Sequence, residues 1–108
     1  MTLSTHVLDA STGRPAAGVA VTLESRIDGE WSPVASGRTD DDGRIRALGD
    51  PGVGVHRIGF DTGGYFAARG VACFYPEVVV VFEVLEAAAH QHVPLLLSPY
   101  AYSTYRGS

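Results

Sequence analysis

Turn-forming clusters cut this chain into pieces no longer than a strand, which is the strongest constraint on its fold. They stand at Asp9-Ala10-Ser11-Thr12-Gly13, Asp28-Gly29, Asp41-Asp42-Gly43, Asp50-Pro51-Gly52 and Ser98-Pro99, where Asp, Gly, Pro and Ser supply the dihedrals and local hydrogen bonds that turns require. Between them apolar and polar residues alternate with period two: Val19, Val21 and Leu23 fall on one face, Thr22 and Glu24 on the other. That rhythm predicts an all-β sandwich. Asp28-Gly29 tolerates positive φ, so it is expected to join the strand ending near Leu23 to Trp31–Ser36 as a two-residue hairpin. The continuous β-branched run Val78–Val84 reads as a strand with little exposure on either face, packed against both the core and a partner. His92–Leu97 and Tyr100–Tyr105, joined at Ser98-Pro99, read as neighbouring strands. One short helix is expected: Asp61 or Thr62 caps it, Tyr65–Arg69 forms its turns and Gly70 ends it. The expectation is a two-sheet β-sandwich of seven to eight strands with one short helix, residues 1–108 forming a single domain. Long apolar strands without covering helices leave open edges, and pairing edges across subunits is a common remedy, so an oligomer is expected.

Composition removes several functions. At 108 residues the chain buries roughly two thirds of its unfolded surface, enough for a core without staples. A net charge of -4 without a clustered basic stripe excludes the footprint that nucleic acid or anionic lipid requires. All eight basic residues are arginines, so there is neither a Schiff-base lysine nor a phosphate-loop lysine. Cys73 stands alone and excludes an intrachain disulfide; its apolar flanks predict a packed thiol. No apolar run is long enough to span a bilayer, and the first residues lack a basic-then-apolar leader pattern, so a cytoplasmic protein is expected.

Four histidines, His6, His56, His90 and His92, are the first candidates for chemistry. Alternation puts Leu3, Thr5 and Val7 on one face of the first strand and His6 on the other with Ser4 and Leu8. His90 and His92 are two apart and would point the same way in a strand, able to hold zinc or to act as acid and base near neutral pH. A zinc site would need a third ligand, which His6 supplies only if the two ends of the chain meet. Asp40-Asp41-Asp42-Gly43 lacks the ligand spacing of a calcium loop and reads as a turn. Arg44 and Arg46 would share a strand face behind it, either as solvated charges or, at Arg44, as a fork for an anionic or carbonyl-rich ligand. The tail Ser103-Thr104-Tyr105-Arg106-Gly107-Ser108 follows directly on a strong strand and is expected to be ordered, in the plainest case as a sheet-closing strand. There is no Gly-x-Ser-x-Gly elbow, and Gly49–Gly54 contains a proline and lacks the strand-turn-helix order of a dinucleotide loop.

Taken together, Leu3-Ser4-Thr5-His6-Val7-Leu8-Asp9 with Gly13-Arg14-Pro15-Ala16, Thr39–Arg44, and His92-Val93-Pro94-Leu95-Leu96-Leu97-Ser98-Pro99 through Tyr105-Arg106-Gly107-Ser108 resemble the 5-hydroxyisourate hydrolases, the enzyme branch of the transthyretin-like family. The terminal Tyr-Arg-Gly-Ser is the most specific element, since the hormone-carrier branch lacks it. The resemblance implies a homotetramer, a dimer of dimers, with active sites in the channel between dimers. It implies a small-molecule substrate, 5-hydroxyisourate, opened by water at a ring amide carbonyl to 2-oxo-4-hydroxy-4-carboxy-5-ureidoimidazoline in urate breakdown. His6 and His92 would share the base and proton-donor roles, Arg44 would bind the substrate and stabilise the oxyanion, Tyr105 would contact the substrate, and Ser108 would orient a histidine or the water. No metal or other cofactor enters that reaction. Two departures stand out: Ala89-His90-Gln91-His92 where the enzymes usually read Glu-His-Tyr-His, and Ala101 where glycine is usual. The competing class is a carrier holding a small aromatic ligand in the same channel, against which a His- and Arg-lined wall argues.

Overall fold

Strand β1 (Leu3–Asp9) alternates buried and half-buried positions, with Leu3, Thr5, Val7 and Asp9 inward and Ser4, His6 and Leu8 outward, as its sequence period requires. The computed structural model describes residues 2–108. β1 lies inside the first sheet, pairing antiparallel with the two-residue strands β2 (Arg14–Pro15) and β5 (Arg44–Ile45). It also pairs in parallel with β8 (Gln91–Leu97), whose other edge carries β9 (Tyr102–Thr104). The second sheet runs β4 (Glu30–Arg38), β3 (Ala20–Ile27), β6 (Gly54–Phe60), β7 (Val78–Val84), all antiparallel. Among the described residues, seven strands of three residues or more and two of two residues therefore form the sandwich.

The two sheets share one core. Leu3, Val7, Leu95 and Leu97 from the first meet Val21, Leu23, Ile58 and Phe60 from the second, none more than 1% exposed. Each such side chain contributes roughly 1.5–3 kcal/mol of transfer free energy. The Thr5 hydroxyl, buried among them, donates to the Val93 carbonyl at 2.6 Å and ties β1 to β8 beneath the backbone ladder.

Local chemistry accounts for the connections. Asp28 and Gly29 adopt φ values of 52° and 79°, the type I′ geometry expected of the hairpin, which extends to Arg38 on its second strand. The Asp40 carboxylate accepts from the amides of Asp42 and Arg44, making Asp40–Gly43 a hydrogen-bonded turn. Gly43 has φ 73° and packs its Cα against the Val7 carbonyl and Pro15, where a Cβ would collide with backbone. That close approach lays the turn on β1 and starts β5 opposite His6.

The helix α1 (Thr62–Ala67) is capped by Asp61, whose carboxylate accepts from the Gly64 amide at 3.0 Å, and Gly70 follows in the left-handed region with φ 68°. Tyr65 and Phe66 enter the core from it. Cys73 is partly buried against the same core. No helix among the described residues is long and apolar enough to cross a membrane.

Within the single chain Val78–Val84 is shielded on its core face only: Val79 and Val81 are 42% and 56% exposed, leaving open the face expected to meet a partner. One expectation needs correction. Arg46 does not share a strand face with Arg44, since β5 ends at Ile45; Arg46 instead reaches Asp42 in an exposed contact at 3.9 Å.

Candidate active site

The outer face of the first sheet gathers the residues singled out in the sequence. In β1 the inward turn of Leu3, Thr5 and Val7 forces Ser4 and His6 outward. In β8 the burial of Val93, Leu95 and Leu97 does the same for His92. The register then decides which side chains meet: Ser4 lies beside His92 across the parallel pair, and His6 opposite Arg44 across the antiparallel one. Arg44, His6 and His92 thus come from three adjacent strands onto one surface. β1, near the start of the chain, and β8, near its end, do meet, as the candidate site required.

The tail is tied to the same place. Beyond β9 the chain turns back so that the Gly107 amide donates to the His92 carbonyl at 2.9 Å. Gly107 lies so close to the His92 ring that a Cβ there would overlap ring atoms. Ser108 is the next residue along. The tail after Thr104 is therefore not a closing strand; it is a strap over the start of β8. Tyr105 and Arg106, with Thr104, Gln91, Glu83 and His92, line a cavity of about 470 Å³ between the edges of β7 and β9. His6 and Arg44 do not line it, so the cavity borders the three-strand surface on the His92 side.

The electrostatics at His92 favour the uncharged ring. Partial burial pushes its pKa below the usual imidazole value, and the nearby Arg44, His6 and His90 add to that shift, while hydrogen bonding at Ser4 partly offsets it. An imidazole held neutral beside an arginine can accept a proton while the guanidinium holds developing negative charge.

Ser4 escaped the sequence reading. Its hydroxyl is 2.8 Å from His92 Nδ1 and 2.9 Å from His90 Nε2. The available signal was its place two residues before His6 on the same face, but only the parallel register reveals its neighbours. His90 precedes β8 yet still faces the same way as His92 through this shared partner. His56 belongs elsewhere: it is 2% exposed in the second sheet, where its Nε2 donates to the Gly52 carbonyl at 2.9 Å and its Nδ1 meets the Ser25 hydroxyl at 2.7 Å. Among the described residues no group of three or more His, Cys, Asp or Glu side chains is placed to hold a metal ion.

Comparison with known proteins places the sequence and the fold in a family. Residues 3–107 match the profile of the HIUase/Transthyretin family. A 5-hydroxyisourate hydrolase of Salmonella typhimurium is 49% identical over 109 residues, covering 98% of this chain and 80% of the relative. The structure of Klebsiella pneumoniae 5-hydroxyisourate hydrolase superposes with a TM-score of 0.87 at 37% identity, covering 100% of both chains. Sea bream transthyretin in complex with thyroxine superposes with a TM-score of 0.93 at 36% identity, covering 99% of this chain and 95% of that one. Sharing the sandwich, the matched span and nearly half its residues with a named relative, the chain belongs to the HIUase/Transthyretin family.

Proposed function

We propose that this chain is a 5-hydroxyisourate hydrolase acting in urate breakdown, as the Salmonella and Klebsiella relatives are named. The observation that carries the reading is the convergence of His6, Arg44 and His92 on one face of the first sheet, with the Tyr105–Ser108 tail bound to His92. Water attacks a ring amide carbonyl of the substrate. Neutral His92 removes a proton from that water, and protonated His6 gives one to the departing ring nitrogen; the reverse assignment of the two imidazoles balances equally. Arg44 binds the carbonyl edge and holds the oxyanion through its fork. Tyr105 contacts the substrate, and Ser108 orients His92 or the water through its hydroxyl. No metal or other cofactor takes part.

Residues 1–108 act as one catalytic domain, in a cytoplasmic homotetramer built as a dimer of dimers. The open edge of β7, with Val79 and Val81 exposed, supports assembly through that strand. Sea bream transthyretin has the same fold with thyroxine bound, so a carrier role is the second reading. The site's two imidazoles and guanidinium support the hydrolytic one, because a site for an apolar ligand favours apolar walls. The absorbance decay of freshly made 5-hydroxyisourate, followed with a chelator present, tests the proposal. Decay well above the spontaneous rate is expected; spontaneous decay in the presence of folded protein would reject hydrolysis and leave the carrier reading.

A further inference from the structure

The hydroxyl of Ser4 joins two imidazoles that the hydrolytic scheme treats separately. Its Oγ lies 2.8 Å from His92 Nδ1 and 2.9 Å from His90 Nε2, while His90 Nδ1 faces the Thr2 hydroxyl at 3.4 Å. A hydroxyl has one hydrogen to give and lone pairs to accept. Thr2 Oγ1 can accept from His90 Nδ1–H, which leaves Nε2 of the neutral His90 ring bare and able to accept from Ser4. Ser4 then accepts from Nδ1–H of His92. All three contacts are then satisfied, and this direction leaves the lone pair of His92 on Nε2; the reverse direction satisfies the same contacts but puts a proton on Nε2, so a base role for His92 selects the first. This is the tautomer that a base acting through Nε2 needs, and the fixing of one ring nitrogen by its partner is the usual means of choosing it.

We propose that Ser4 and His90 form a proton relay behind His92, fixing its tautomer and drawing off the charge it acquires. The proposal rests on His92 being the base of the hydrolysis. When Nε2 of His92 takes a proton from the attacking water, the Nδ1 proton passes to Ser4 Oγ and the Ser4 proton passes to His90 Nε2. The His92 ring gains a hydrogen at Nε2 and loses one at Nδ1, Ser4 Oγ gains one and loses one, and His90 gains one at Nε2, so His92 becomes neutral in its Nε2–H form and the imidazolium resides on His90. The reverse transfer, from His90 Nε2 to Ser4 and from Ser4 to His92 Nδ1, resets the chain as the Nε2 proton of His92 leaves. The direction of transfer follows from the surroundings: His92 is half-buried on the face shared with Arg44 and His6, whereas His90 is exposed to water. Moving a cation from a confined site beside a guanidinium to solvent lowers its energy. Ser4 is not needed merely to hold the strands together, because β1 and β8 are already paired along seven residues by their backbones. Ser4 and His90 are thus positioning and relay residues, whereas His92 is the group that meets the water.

Nitrogen-15 NMR of the imidazole rings, combined with rates of 5-hydroxyisourate decay, tests the relay. Wild-type His92 is expected as the Nδ1–H tautomer. Ser4→Ala should mix the tautomers and lower kcat about 10- to 100-fold with little change in KM, less than the roughly 10²–10⁴ of removing the acid-base group itself; Ser4→Thr should restore both. His90→Gln keeps an oxygen that accepts from Ser4 but cannot take up a proton, so it should retain the tautomer and still lose kcat. A wild-type Nε2–H tautomer, or Ser4→Ala with unchanged kcat, would overturn the relay while leaving the hydrolase reading intact. Wild-type protein that does not accelerate the decay would instead overturn the hydrolase reading, and the NMR spectra would still decide whether Ser4 sets the tautomer.

Discussion

At His92 burial, a neighbouring guanidinium and the returning segment at Gly107 all act on one residue. Arg44 faces the same surface across His6, and its planar fork is matched to a developing oxyanion in a way that a neutral amide is not. Arg44→Gln is expected to lower kcat by about 10²–10³, the usual cost of an oxyanion donor, with thermal stability unchanged; equal kcat in the two proteins would remove Arg44 from the chemistry. Gly107 supplies a second test, since a methyl group at that position would overlap the His92 ring. Gly107→Ala should therefore displace the ring or lift the tail, reducing kcat more than melting temperature, as steady-state kinetics and calorimetry would show. His6, Arg44 and His92 were legible only because the family resemblance joined them. Periodicity could place each side chain on a face, but Ser4 stayed hidden because its role depends on a register between strands far apart in sequence.

Among the elements, β1 and α1 are locked by a buried carboxylate. Asp9, at the inward end of β1, accepts from the Tyr65 hydroxyl at 2.8 Å and from the Ser11 hydroxyl at 2.5 Å, and Arg69 stacks 3.7 Å over the Tyr65 ring. Burial alone would raise the Asp9 pKa, but these hydrogen bonds outweigh it and hold the carboxyl below the usual carboxylate range. The Tyr65 hydroxyl is correspondingly pushed up to about 12, by its burial and by Asp9. A depressed native pKa means that the unfolded chain binds the proton more readily. The lock is therefore fully present above the unfolded value of 3.8 and is lost as pH falls through the lower native one. Tyr65→Phe should destabilise the fold by about 1.5–3 kcal/mol, the range for a hydrogen bond to a charged group. It should also bring acid unfolding to higher pH. Denaturant melts across an acidic pH series would detect both, and an unchanged acid midpoint would show that Tyr65 does not hold the charge on Asp9. The hairpin at Asp28-Gly29 and the helix after Asp61 could be read from sequence because each is set by local dihedral and capping chemistry. Strands β2 and β5 could not, since two residues carry no period, and β5 is placed by the Gly43 turn rather than by its own pattern.

For the whole molecule, the unshielded side of β7 is where the sequence and the single chain differ. The run Val78–Val84 reads as buried on both sides, yet Val79 and Val81 face outward at a sheet edge. A second copy covering that edge would reconcile the two. Val81→Glu is expected to shift the protein to smaller species in sedimentation while preserving its circular dichroism; an unchanged distribution would place the interface elsewhere. The central claim, however, concerns the chemistry of the assembled site, and the pH dependence of 5-hydroxyisourate turnover by wild type and His92→Asn tests it most directly. The account predicts that wild-type activity persists below the ordinary imidazole value of 6.5, because His92 titrates below it, and then falls as that ring is protonated. It predicts that His92→Asn, folded and assembled like wild type, loses about 10²–10⁴ in kcat. Turnover by His92→Asn at the wild-type rate and with the same pH profile would contradict the account.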